Sequence, residues 1–311
     1  MSTLNEASWA VPTIRRLQMK TICVFTPTFN RGYIISNIYE SLEKQSLQDF
    51  VWLVVDDGST DNTEELFDRF VRDAPFPIIY KRVENGGKQR AHDYAVSICE
   101  NELFFCLDSD DYLTPDAIET IVNTWEECKN DPTVGGILAL RGTDEQTVIG
   151  TEMPGGVTYS TQHDLFEKYR YKGDSALIYR TDVLRKFPFD VEPGEKFIPE
   201  TFVYFQIDQK YRCRLVNKII QVGDYLPDGY TSDFPNNVIA SPKSYLKHKK
   251  FCMEIAEGFL SKLYCTAMYM VAHHLAYGFY GVKGVACKYL VPFTLPLAAV
   301  LVHTKFLSRK K

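Results

Sequence analysis

At 311 residues, 45% of them hydrophobic and 24% charged, the chain is long enough to bury a full core and has none of the composition of a disordered segment. Its eight cysteines form no C-x-x-C pair and several sit in apolar runs, so they read as buried free thiols rather than a disulfide framework. The net charge of −5 divides unevenly, with +9 on residues 243–311 and −14 on the rest. An acidic body with a basic C-terminal segment suits contact with a negative surface, and no nucleic-acid partner is expected.

The first twenty residues hold neither an apolar h-region nor a cleavage site, so residues 1–18 read as an extension without a secretory signal, and a cytoplasmic protein is expected. The run "TICVFTP" (21–27) is β-branched and bounded by polar turn residues, the pattern of a buried strand. Residues 31–45 follow as a helix with Ile34, Ile38 and Leu42 on one face. A second buried strand, "FVWLVVDD" (50–57), leads into a helix over 61–72, where Asp61 and Glu64 have capping-box spacing. "PIIYKRV" (77–83) is a shorter, more amphipathic strand, and 88–100 a helix with Ala91, Ala95 and Ile98 on one face. "LFFCLDSD" (103–110) is a third buried strand, and Thr114-Pro115-Asp116 looks like a helix start capped by Thr114. Such alternation builds βαβ units, so the fold class is α/β: a mainly parallel sheet flanked by helices. Residues 130–172 are rich in turns. After Pro242 the pattern turns helical, with Phe251, Ile255, Phe259 and Leu263 at four-residue spacing. The expected organisation is a main domain over 19–240 and a helical appendage over 241–311.

In a sheet of this kind ligands bind beyond the carboxyl ends of the strands. Four polar clusters end the apolar runs and converge on that edge: Pro27-Thr28-Phe29-Asn30, Asp56-Asp57-Gly58-Ser59, Asn85-Gly86-Gly87-Lys88 and Asp108-Ser109-Asp110-Asp111. The last crowds three carboxylates that repel one another unless a cation lies among them, and a hard ion such as Mg²⁺ or Mn²⁺ prefers oxygen ligands. Helix capping accounts for Thr114 and leaves the three aspartates unexplained. Asp56 and Asp57, on a strand end, can accept from a base N–H or a ribose hydroxyl. Gly86-Gly87 with Lys88 and Arg90 at a helix start suits a diphosphate or a base edge. There is no Walker A loop, no G-x-G-x-x-G, no H-E-x-x-H and no G-x-S-x-G, which argues against P-loop, dinucleotide, zinc-hydrolase and serine-hydrolase chemistry.

Taken in order, "TPTFNR", "VVDDGSTDNT", "NGGK" and "LDSDDYLTPD" resemble the family-2 inverting glycosyltransferases, closely over residues 21–120 and more loosely as far as 230. The resemblance implies a GT-A, Rossmann-like fold and an inverting transfer from a nucleotide-diphospho-sugar, usually a UDP-sugar, with Mn²⁺ or Mg²⁺ on a D-x-D pair. A glycan or lipid-linked acceptor in surface-polysaccharide synthesis is the expected recipient. At the matching positions it implies Thr26, Pro27 and Asn30 in a nucleotide-binding first loop, Asp57 reading the uracil, and Lys88 or Arg90 in the loop closing over the base. Asp108 and Asp110 are the D-x-D pair and Asp111 extends it, so either Asp110 or Asp111 is the metal ligand. The family's base often stands in a Glu-Asp pair before an amphipathic helix; here "GEKFIPETFVYFQI" keeps Glu200 and has Thr201 after it. Glu200 is therefore the first choice of catalytic base and Glu195 the second, beside a plain helix-N-terminal role for Glu200. "KGDSALIYR" (172–180) and "GDYLPDGYTSD" (223–233) resemble cleft-lining segments, with Asp174 touching donor sugar or acceptor. The Q-x-x-R-W signature of processive members is absent, and single-sugar transfer is expected.

The C-terminal apolar core, Tyr289 to Val302, is interrupted by Pro292 and Pro296 and falls short of the roughly twenty residues a spanning helix needs. A peripheral hairpin or interfacial segment at the inner face of the cell membrane is the expected arrangement. Two other readings compete. A sugar-phosphate nucleotidylyltransferase would show a G-x-G-x-R loop where "TPTFNR" stands, and a non-catalytic nucleotide-sugar binder would have lost the acids at 110, 111 and 200, all of which are present.

Overall fold

The computed structural model describes residues 20–223 and 233–307; the extension 1–18 and nearly all of the segment 223–233 lie outside the described residues. The described residues form two compact units, the first from 20–85, 91–188 and 205–223, the second from 86–90, 189–204 and 233–307.

Among the described residues the first unit is built on a nine-stranded sheet. Strands β1 (Ile22–Thr28) and β2 (Phe50–Asp56) are buried at every position. That is why both read as unbroken apolar runs: a parallel strand covered on two faces has no polar side. β3 (Ile78–Arg82) pairs with β2 only and is half exposed, while β4 (Leu103–Cys106) pairs with the other side of β1. These four strands are mutually parallel, with Ile22 opposite both Phe50 and Leu103. Helices α1 (Ser36–Glu43), α2 (Thr63–Asp73) and α3 (Lys88–Ile98) follow β1, β2 and β3. On one face Trp52 packs with Ile38 and Leu42 of α1 and Phe67 of α2 in a single cluster. Tyr39 stacks on Phe70 at 4.3 Å and Phe67 on Tyr80 at 4.8 Å. Truncating Trp52 to alanine in such packing costs about 3–5 kcal/mol. On the other face Phe25 and Phe104 meet the His92 ring of α3, at 5.7 and 5.1 Å.

These four strands carry most of the expected parallel pattern, and the rest of the sheet is mixed. Beyond them come β5 (Tyr112–Leu113), α4 (Ala117–Cys128), β6 (Val134–Gly142), β7 (Tyr159–Ser160), α5 (Gln162–Glu167), β8 (Ser175–Arg180), α6 (Thr181–Leu184) and β9 (Arg212–Val222). β8 runs antiparallel to β4 and β6, β9 parallel to β6, and β5 and β7 antiparallel to β9. Antiparallel return needs no crossover helix, and the turn-rich stretch 130–172 supplies the loops.

Two expected caps are built differently. Asp61 accepts the N–H and hydroxyl of Thr63 (3.1 and 2.6 Å) and, through its other oxygen, the Gly32 N–H at 3.0 Å. Glu64 pairs with Arg82 at 2.6 Å instead of closing a capping box. The α4 helix begins at Ala117, after Asp116, and Thr114 donates its hydroxyl to the Ile219 carbonyl rather than capping it.

The second unit contains the start of α7 (Thr201–Asp208), then α8 (Phe234–Ala240), α9 (Pro242–Ile255), α10 (Phe259–Tyr277) and α11 (Val291–Val302). Its core joins Phe197, Tyr245, Met268, Met270, Ala298 and Val302. The expected continuous helix through Phe251 and Leu263 is broken at residues 256–258, so Phe259 starts a new helix and is 61% exposed. A π-helical turn (His303–Leu307) prolongs α11. As a result Lys288–Phe306 is a 19-residue stretch long and apolar enough, by length and composition, to cross a membrane, beyond what the sequence reading allowed.

Candidate active site

The parallel register sets the carboxyl ends of β1, β2 and β4 side by side, with Thr28 opposite Asp56 and Phe25 opposite Cys106. After β1, Asn30 takes a left-handed backbone (φ 54°) that asparagine tolerates. Its carboxamide accepts the Thr60 N–H at 2.8 Å, and its own N–H donates to the Ser59 hydroxyl at 2.8 Å, so the loops after β1 and β2 are laced together. Thr26 and Pro27, expected in that loop, lie inside β1 instead; Thr26 is fully buried and its hydroxyl accepts from the Trp52 indole at 3.0 Å. Asp56 is also fully buried, accepting the Ser59 N–H at 2.7 Å and the Tyr80 hydroxyl. Asp57 is placed by its backbone: its N–H donates to Thr28 (2.8 Å) and its carbonyl accepts the Asn85 carboxamide (2.8 Å).

After β4 the chain makes a tight turn closed by the Asp111 N–H on the Asp108 carbonyl at 3.0 Å. The turn folds the three carboxylates inward, and one oxygen from each of Asp108, Asp110 and Asp111 lies within 4.8 Å of the others. Two unit charges at that separation repel by about 3 kcal/mol at an effective dielectric constant near 20. Part of this is relieved from within. Arg141, at the end of β6, sets one guanidinium nitrogen 2.9 Å from both oxygens of Asp111 and the other 3.3 Å from Asp174. Gln221, at the end of β9, donates its carboxamide to Asp111. Asp111 is 1% exposed, and burial pushes its carboxyl up to about 7 against the pull of Arg141, with the Asp108 charge adding to the rise. Gly223 is indispensable here, because a Cβ on it would stand 1.6 Å from an Asp111 oxygen. Asp111 is thus anchored to the protein on both oxygens, and Asp108 and Asp110, half-buried on the same turn, complete an all-oxygen donor set of the kind a hard divalent cation takes.

The remaining sequence-predicted residues belong to the second unit. Lys88, at the start of α3, places its ammonium 2.6 Å from a Glu200 oxygen. Arg90 does not present its guanidinium to a ligand; it donates to the carbonyls of Gly86 (2.9 Å), Glu192 (3.0 Å), Val191 and Glu195. Glu195 is 8% exposed and accepts the N–H groups of Lys243 and Ser244 (2.9 and 2.7 Å), the orphan donors at the start of α9. That makes it a helix cap, held away from base chemistry. Thr201, which follows Glu200, bonds the buried His248 ring at 3.0 Å. The sequence reading missed Arg141, Gln221 and Tyr80. Arg141 and Gln221 both sit near the end of a strand, in stretches where the sequence reading had placed no strand.

A sheet with a parallel half, an acidic edge and a mixed second half is the GT-A arrangement. The model of glycosyl transferase family 2 matches residues 23–187, and the chain belongs to that family. Among curated relatives, the glycosyltransferase GlyG of Streptococcus pneumoniae serotype 4 is 31% identical over 114 residues, a match spanning 37% of this chain and only 38% of GlyG. Among solved structures, Staphylococcus aureus TarS 1-349 in complex with UDP-GlcNAc aligns over 84% of this chain and 74% of its own, with a TM-score of 0.58 at 19% identity. The mannosyltransferase PcManGT from Pyrobaculum calidifontis, in complex with GDP-Man and Mn²⁺, aligns over 94% and 88%, with a TM-score of 0.54 at 17% identity.

Proposed function

We propose that the protein transfers a single sugar from a nucleotide-diphospho-sugar, a UDP-sugar, to a glycan or lipid-linked acceptor with inversion, in the synthesis of a surface polysaccharide. The observation that carries this reading is the Asp108–Asp111 turn, three carboxylates gathered at the carboxyl end of β4 in a family 2 chain. The UDP-GlcNAc complex of TarS supports the choice of a uridine donor, and relatives named for teichoic acid and polysaccharide synthesis support the pathway class.

In this reading the Asp108–Asp111 turn holds Mn²⁺ or Mg²⁺, with Asp110 or Asp111 as the main ligand and Arg141 and Gln221 orienting the Asp111 carboxylate. When bound, the cation supplies positive charge to the departing diphosphate. Asp57 accepts from the uracil N–H, and the Asn30 loop supports the nucleoside. Asp174, tied to the metal-site turn through Arg141, faces the sugar or acceptor. Glu200 takes the proton of the acceptor hydroxyl as that oxygen attacks C1 from the side opposite the diphosphate, which inverts the anomeric centre. The C-terminal segment rests on the inner face of the membrane, where a lipid-linked acceptor is presented: the outer face of α11 exposes Phe293, Leu295 and Val300, and residues 258–311 contain no acid. The test is a thermal-shift panel of nucleotide sugars with and without Mn²⁺. A Mn²⁺-dependent rise with UDP-sugars is expected; a panel without any shift refutes the donor class.

A further inference from the structure

Residues 191–200 have no regular structure before α7, yet they are pinned along their length. From one side Arg90 donates to the carbonyls of Glu192 and Glu195, and Gly87 (φ 94°) lies so close that a Cβ on it would meet the Lys196 carbonyl oxygen at 2.2 Å. From the other, the Ser241 hydroxyl accepts the N–H groups of Lys196 and Phe197 (3.3 and 3.2 Å), and the Ser244 hydroxyl that of Glu192 (3.0 Å). His248 holds Thr201. The backbone on either side of Glu200 is therefore fixed, while its side chain is 39% exposed and would otherwise sample many rotamers. What stops it is Lys88, whose side chain is 16% exposed and whose sequence neighbours Gly87 and Arg90 pin the loop. An ion pair this exposed adds little to folding, so orientation is what it offers.

We propose that Lys88 is a positioning residue for the Glu200 carboxylate and not a ligand of the nucleotide. The inference rests on Glu200 being the base. Lys88 holds the carboxylate in one rotamer, leaving the second oxygen to meet the acceptor hydroxyl, so its removal slows proton transfer without loosening the donor.

The test uses the full chain. UDP affinity with Mn²⁺ is measured by calorimetry. Turnover is UDP release from whichever of UDP-GlcNAc, UDP-glucose and UDP-galactose most raises the melting temperature. Lys88→Met should keep the melting temperature and bind UDP within about twofold, while kcat falls by about tenfold or more, the scale of a misplaced catalytic group. Lys88→Arg should recover most of that loss, and adding Lys88→Met to Glu200→Gln should cost nothing further. A Lys88→Met variant with UDP affinity about tenfold weaker and kcat intact overturns the proposal, as does one with neither quantity changed. Full turnover in Glu200→Gln alone removes the base assignment itself, a failure separate from either of these.

Discussion

Gly223→Ala adds one methyl group and strikes the acidic turn directly. The added carbon would stand 1.6 Å from an Asp111 oxygen, 2.6 Å from its carboxyl carbon and 3.3 Å from an Arg141 nitrogen. Ordinary contact requires about 3.4 Å, so Asp111 must retreat by nearly 2 Å, and both 2.9 Å bonds from Arg141 cannot survive that movement. Overpacking alone costs about 1–3 kcal/mol, and breaking a buried pair about 3–5 kcal/mol, so a loss of about 3 kcal/mol is expected. At a urea slope of about 3 kcal/mol/M the unfolding midpoint falls by about 1 M. Mn²⁺-dependent UDP binding should weaken with it, because Asp110 is carried on the same turn. The control is Asp111→Ala, which removes the obstructing oxygen: in that background Gly223→Ala should add almost nothing. Equal effects of Gly223→Ala in both backgrounds would falsify the account, as would a variant as stable as the parent.

Asp110→Asn or Asp111→Asn should abolish metal-dependent UDP binding in calorimetry; unchanged binding in both refutes the metal assignment. Glu200→Gln should keep UDP affinity and lose transfer by about 10²–10⁴-fold, and retained turnover places the base elsewhere. Asp208, on α7, accepts the His163 N–H at 2.8 Å, and burial pushes its carboxyl up to about 7. A carboxyl raised in the folded state favours folding while protonated, so its contribution is full below about pH 4 and is lost as pH rises through 7. Asp208→Asn should therefore flatten the fall in stability between about pH 4 and 7 seen in urea melts, and an unchanged slope refutes it. Phe293→Ser with Val300→Ser, at positions 67% and 59% exposed, should release the protein from anionic vesicles in flotation without lowering its melting temperature. Undiminished flotation excludes this face as the membrane contact.

The apolar runs fixed where β1, β2 and β4 would lie, because a strand buried on both faces can carry no polar position, and the acids ending those runs marked the edge where a ligand belongs. The clustering of Asp108, Asp110 and Asp111 was legible for the same local reason, since a four-residue turn cannot separate its own side chains. The capping box at Asp61, the Thr114 cap and the unbroken helix through Phe259 were misread where a distant partner, Gly32, Ile219 or the break at 256–258, outweighed local preference. Which partner each carboxylate takes was not local at all. Asp111 is claimed by Arg141 and Gln221, Glu195 by the start of α9, and Glu200 by Lys88. Charges choose partners by distance in space, and those distances exist only once the sheet has brought β6 and β9 beside the turn and the loop before α7 has closed on the start of α3.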